Sequence, residues 1–329
     1  MNCKYLKNDK INSTLKILVS GALIWFLIRK IGLQQITLII DKTKIEFIII
    51  AMILFFIGIL FQVARLKILL NASDLSLPYG KLLEMYLISI FFGIFLPTVV
   101  GGDVVKAVLI ASEKKNGSSV AAVVLADRVV GVISLFIVGL FATIFGFSYL
   151  NSDWRFYLLF IFASGFFFIF ILFYEKGWRK LISLLERYLP SRLIKVLIEF
   201  QQTFHGIKKQ KKSLAKALAI SFVFYIPLIF TTYFVALALG GTYHVIYFFI
   251  FVPVIALAGM FPVSLGGLGV REGASVLFFS LLGAEQGFGF LLSFIPFVIK
   301  ALYGLIGGLL YIGISLQGKP KPKENPETN

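Results

Sequence analysis

The chain is predicted to be an all-α, polytopic integral membrane protein. About six full spans plus two re-entrant helical hairpins form an inverted repeat. Three observations predict it. Hydrophobic residues make up 59% of the 329 residues, with 36 phenylalanines, which is more apolar material than a soluble domain of this size carries. The formal net charge is +16, yet the lysines and arginines gather in short segments beside apolar runs. That is the positive-inside pattern of membrane loops and speaks against a nucleic-acid partner. The pattern Pro, three residues, Gly-Gly then occurs twice, in LPTVVGGDVVKA at 96–107 and in FPVSLGGLGVREGA at 261–274. Each copy interrupts a long apolar stretch and is followed by charges.

Taken in order, residues 1–16 carry Lys4, Lys7, Lys10 and Lys16, and an apolar stretch from Ile17 to Ile28 precedes Arg29 and Lys30. This has the outline of a signal peptide, but no small-residue cleavage site follows and the helix can extend to Leu33, so an uncleaved first span is expected. The single cysteine, Cys3, lies in this basic segment, which rules out an intrachain disulfide framework. A second span is expected from about Ile45 to Ala64, with Arg65 and Lys67 marking its cytoplasmic boundary.

The next apolar run, Leu82 to Leu96, is only about fifteen residues long, and the half-helix after Gly102 stops near Ser112. Neither reaches the ~20 residues of a full span. A re-entrant hairpin turning at Pro97 to Gly102 is therefore expected. A third span, roughly Ser118 to Phe147, and a fourth, Phe156 to Tyr174, precede the longest polar segment. From Lys176 to Lys216 eleven lysines and arginines face two acidic residues, Glu186 and Glu199. This segment belongs in the cytoplasm, which holds only if residues 82–113 double back instead of crossing. Apolar residues recur within it near helical spacing around Pro190, so it reads as in-plane amphipathic helices or as a solvated loop under the bundle.

A fifth span, Ala217 to Leu239, leads to the second break, approached through His244 to Met260 and left through Leu268 to Leu282. A last span, Phe288 to Leu316, precedes a tail with Lys319, Lys321 and Lys323. A cytoplasmic tail requires the second break to be a hairpin as well. Span, span, hairpin, span in residues 1–150 is then repeated in residues 151–320 from the opposite side of the membrane, within a single transmembrane domain covering 1–329. The two hairpin tips are expected to meet near the midplane.

Broken backbone at membrane depth is tolerated where it lines a polar cavity, so the tips are the expected binding site. The half-helices after Gly102 and Gly267 would aim free N–H groups and positive dipole ends at that cavity, which suits a phosphate. The candidate substrate-binding residues are Gly101, Gly102, Asp103, Arg128, Gly266, Gly267, Arg271, Glu272 and Lys300. Intramembrane cations cost ~2.5–3.5 kcal/mol each at a helix centre, so they should face a polar interior. Asp103 and Glu272 each have two readings, a helix-terminal cap or a substrate or ion contact. Asp127 reads as a structural ion-pair partner of another span. Lys106 is expected to snorkel toward the cytoplasm, and Arg65 to mark a membrane boundary.

PTVVGGDVVKA, ADRVVG at 126–131 and FPVSLGGLGVREGA together resemble the signature stretches of the flippase-like transmembrane family, also called the lysylphosphatidylglycerol synthase transmembrane region. The resemblance covers nearly the whole chain. It implies handling of a membrane phospholipid or lipid-linked substrate. In family members with a second domain, that domain attaches an amino acid to phosphatidylglycerol, and the membrane region is associated with moving the product between leaflets. Thirteen residues follow Leu316 here, so lipid handling without aminoacyl transfer is the expectation.

Enzymatic alternatives find less support. GLGVREGAS lacks the Lys-Ser or Lys-Thr of a Walker A loop, and His205 and His244 fall on opposite membrane sides in this topology. No catalytic residue, metal or cofactor is expected. A membrane-embedded transferase using Asp103, Asp127 or Glu272 as base is the alternative enzyme, and a scaffold for a cytoplasmic lipid synthase the alternative non-enzyme. Self-association is left open. The expected location is the cell membrane, with both termini cytoplasmic.

Overall fold

The computed structural model describes residues 25–29, 33–95, 101–114, 117–150, 152–173, 183, 211–260 and 264–316. The first span before residue 25, both prolines of the repeated pattern, most of the basic segment 176–216 and the tail after residue 316 lie outside the described residues.

Among the described residues all regular structure is helical. After α1 (Leu33–Asp41) come α2 (Ile45–Asn71), α3 (Tyr79–Phe95), α4 (Gly101–Lys114) and α5 (Gly117–Phe145). They are followed by α6 (Ser152–Phe173), α7 (Lys211–Ala238), α8 (Val245–Met260), α9 (Val270–Ser280) and α10 (Gln286–Leu316). Four of them, α2, α5, α7 and α10, are long and apolar enough to cross a membrane. Helix α2 alone, with 27 residues, rises about 40 Å, more than a ~30 Å hydrocarbon core requires. Prolines inside α7, α8 and α10 (Pro227, Pro253 and Pro296) are absorbed without ending the helices. Thr231 Oγ donates to the Pro227 carbonyl at 2.8 Å. Large apolar side chains such as Phe145, Phe160 and Leu309 stay exposed, which in water would be an aggregation surface and in a bilayer is the lipid face.

The second span runs seven residues beyond its expected end, and Arg65 is buried inside the bundle at 5% exposure instead of marking a boundary. Leu66, Leu69 and Leu70 continue the buried face past it, and Asp127 on α5 neutralises its charge.

At each break the two short flanking helices pack antiparallel. In the first, Lys81 at the start of α3 pairs with Glu113 at the end of α4 at 2.7 Å, while Gly93 and Gly102 approach at the other end. In the second, Phe248 and Phe251 of α8 pack against Phe278 and Phe279 of α9, and Gly259 lies against Gly267. The long helices follow the same plan. Helices α2 and α7 run antiparallel along their length, joined from Lys44 N–H to the Ala238 carbonyl at 3.0 Å through Gly58 against Phe224 to Arg65 on Ser221 at 3.1 Å. Helix α3 packs on α10, and α8 on α5, so the first arm of each hairpin leans on the last helix of the other half. The core divides into two apolar clusters, one around α2, α3 and the first half of α5, the other around α7 to α10.

Candidate functional site

A cavity of about 320 Å³ opens between the two hairpins. Tyr86, Ser89, Gly93, Gly102, Asp103 and Lys106 line it from the first hairpin, and Ala256, Gly259, Met260, Gly266 and Arg271 from the second. Lys300 of α10 completes the wall.

Small residues make the tips fit. A Cβ on Gly102 would sit 2.7 Å from the Ser89 carbonyl oxygen, so α4 can start this close to α3 only with a glycine there. Gly267 has a φ of +80° and its Cβ would meet the Gly259 carbonyl at 2.6 Å, which excludes side chains on both counts. Gly259 in turn leaves room for the Arg271 stem, which passes where its Cβ would be. Close backbone contact at each tip is what holds the charged first turns of α4 and α9 at the cavity.

The charges form two groups. In the first, Asp103 accepts from Arg128 Nη1 at 2.6 Å and pairs with Lys106 Nζ at 2.9 Å, the latter lying over the Tyr86 ring at 5.0 Å. Behind it, Arg65 grips Asp127 through Nε at 2.6 Å and Nη2 at 3.2 Å, a fork that charge-assisted pairing favours, and its Nη1 donates to Ser221. Lys106 links the two, its Nζ 3.9 Å from Asp127 Oδ2. In the second group, Arg271 donates to Glu272 at 3.2 Å and lies 5.5 Å over the Phe297 ring. Glu272 is fully buried and also accepts from the Gly269 N–H at 2.6 Å, so it serves the start of α9 as half of a capping box. Lys300 faces the cavity with no hydrogen bond or ion pair among the described residues.

Of the residues singled out from sequence, Gly102, Asp103, Gly266, Arg271 and Lys300 line the cavity together. Gly101 is buried at the first position of α4. Arg128 stands behind Asp103, Gly267 shapes the second tip, and Glu272 holds the α9 terminus and Arg271. Asp127 has the interspan ion-pair partner expected of it, Arg65. The expectation for Lys106 is corrected: it is 4% exposed and turned into the cavity, because Asp103 one turn earlier supplies an ionic partner that outweighs snorkelling. The Asp103–Lys106 spacing of three on one short helix carried that signal. Arg65, Tyr86 and Gly259 were missed as parts of the site, since nothing local in the sequence distinguishes them.

A polar, cation-bearing cavity between two antiparallel pairs of short helices, within a bundle of apolar helices, defines a polytopic membrane protein with an internal polar cavity. The chain belongs to the family described as the lysylphosphatidylglycerol synthase TM region, whose model matches residues 13–308. It is also similar to a UPF0104 membrane protein of Pyrococcus horikoshii, 24% identical over 328 residues that cover 91% of this chain and 96% of the relative. No solved structure gives a significant match.

Proposed function

We propose that this protein is a lipid transporter of the cell membrane that binds an anionic phospholipid or lipid-linked head group between its hairpins and passes it from one leaflet to the other. The cavity carries this reading. It draws its wall from both halves of the chain and concentrates Lys106, Arg271 and Lys300 where apolar helices surround them. Cations at that depth are costly unless an anion or a polar interior compensates them, and a phosphate head group does both. With both hairpins re-entrant and both termini cytoplasmic, rocking of the two halves opens the cavity to one leaflet at a time while the acyl tails stay in lipid. No covalent step is involved, which sets this reading apart from a transferase. The family membership supports a lipid-related role.

Proteoliposomes test it. Fluorescent phosphatidic acid and phosphatidylglycerol should lose inner-leaflet protection faster with the protein than without, phosphatidylcholine should not, and the recovered lipid should have unchanged mass. Equal rates with and without protein would remove the transport reading, and a changed mass would make it an enzyme. Arg271 is the strongest single probe, because its planar fork matches phosphate oxygens. Arg271→Lys should weaken binding of anionic lipid in part, and Arg271→Ala further, by roughly 1.5–3 kcal/mol. If Arg271→Ala lowers only the folded yield and leaves the affinity of the surviving protein unchanged, Arg271 merely neutralises Glu272.

A further inference from the structure

We infer that the protein has a second lipid site, apart from the cavity between the tips, in which an aromatic pocket holds a neutral glycosyl head group and an adjoining apolar groove holds its acyl chain.

The pocket lies at the open end of the second helix pair, where the chain enters α8 and leaves α9 beside the α5–α6 connection. Tyr149, Trp154, Thr242, Tyr243, His244 and Tyr247 line a volume of about 420 Å³, within the range of ligand sites. Among the described residues no charged side chain lines it. Tyrosine and tryptophan gather at membrane interfaces in general, but such a belt faces outward into lipid, whereas these side chains converge on one concavity. A groove bearing Val138, Phe141, Phe145, Phe222 and Phe249 adjoins the pocket, and His244 lines both. Apart from His244 its lining side chains are all apolar. Phe141 and Phe145 are exposed on the lipid face of α5, so an acyl chain is the filler that a bilayer supplies, and its head group then falls at His244.

Ring geometry selects the head group. Tyr149 stacks on His244 at 4.8 Å and Tyr247 on Phe251 at 6.0 Å, while Trp154 meets Phe278 edge to face at 5.8 Å, so these rings spend their faces largely on one another. Edges and polar atoms are left for a ligand. Ring edges are the positive part of the aromatic quadrupole and favour oxygen over an ammonium group, which needs open faces. Arg155 donates to the carbonyl of Leu150, another lining residue, at 2.6 Å, which sets a positive charge behind that wall. Lys42 and Glu285 line a neighbouring cavity that shares Tyr243, one charge of each sign. Hydrogen-bonding groups are plentiful. His244 Nδ1 accepts from the Ile246 N–H at 3.3 Å, which leaves Nε2 as the donor of the neutral ring. Among the described residues the hydroxyls of Tyr149, Thr242 and Tyr243 and the indole N–H of Trp154 make no hydrogen bond to the chain. A sugar ring matches this set, because its hydroxyls both accept and donate and it brings no charge that the pocket would leave unpaired.

The test uses the full chain in a polyoxyethylene detergent, since glycoside detergents would compete. Trp25→Phe with Trp178→Phe leaves Trp154 as the sole tryptophan, a fluorescence reporter inside the pocket. Dioctanoyl glucosylglycerol supplies sugar and tail, dioctanoylglycerol the tail, glucose the sugar, and dioctanoyl phosphatidylcholine an ammonium head. The glucosyl lipid should shift Trp154 emission and bind about tenfold more tightly than each of the others. Tyr243→Phe, which keeps the ring against Phe288 at 5.3 Å, should weaken it by about three- to tenfold. Equal affinity for dioctanoylglycerol, or a preference for phosphatidylcholine, overturns the sugar assignment, and glucose binding as tightly as the glucosyl lipid overturns the groove. Native mass spectrometry of the unmodified chain gives the same ranking where a variant does not fold. Saturating dioctanoyl phosphatidic acid should leave the Trp154 response in place. Displacement would put the glucosyl lipid in the cavity between the tips and overturn the second site.

Discussion

Single residues at the hairpin tips and in the polar layer act through close contact, and two contrasts expose this. Gly102 has backbone where a Cβ would go, whereas Gly273, inside α9, has nothing within 4 Å of that position. Gly102→Ala should lower the melting temperature in detergent, at a cost of about 1–3 kcal/mol. Gly273→Ala should leave it unchanged or raise it by the ~0.5–1 kcal/mol that alanine gains over glycine in a helix. Similar melting shifts for both would mean that the first tip is not packed this way. The Arg65–Asp127 pair is nearly fully buried, so truncating one partner strands a charge. Arg65→Ala should destabilise by about 3–5 kcal/mol, and the double change Arg65→Met with Asp127→Leu should recover most of that loss, as thermal melting of the purified variants would report.

Element lengths carry the plan of the bundle. The short arms expected at 82–96 and 244–260 are α3 and α8, each too short for a comfortable span, and each doubles back on the helix that follows its break. Periodicity and length made that legible, since an apolar run that stops short beside Gly-Gly has few other ways to satisfy its backbone in lipid. Which helix each arm leans on was not legible. The α3–α10 seam depends on Gly304, Gly307 and Gly308, where Gly307 lies directly against the Leu87 carbonyl and Gly308 against the Phe91 ring. Small residues let helices approach closely in a membrane, where packing must replace the hydrophobic drive. Gly307→Leu should therefore force α3 from α10, seen as a lower melting temperature and, because α3 and Lys300 share the cavity wall, as weaker anionic-lipid binding. Gly313→Leu, on the same helix with open space at its Cβ, should change neither.

For the whole molecule, the proposed inverted arrangement predicts an orientation as well as a fold. With Cys3 replaced by serine, cysteines at Lys209 and Lys321 should both label from the cytoplasmic side of right-side-up membranes, and labelling from opposite sides would sink the double-hairpin topology. The sequence by itself determined the all-helical membrane class and the glycine and charged residues at the breaks, because bilayer thickness and backbone satisfaction leave few solutions for such apolar runs. It also indicated that Arg271, Lys300 and Asp103 would gather, since buried charge needs a shared polar interior. Only the tertiary structure decided that Arg65 locks Asp127 from 62 residues away, that Lys106 turns inward, and that Glu272 supports α9 from behind the cavity wall. Those roles depend on which charges lie opposite one another across helices, and helical spacing along one chain segment holds no record of a partner on another.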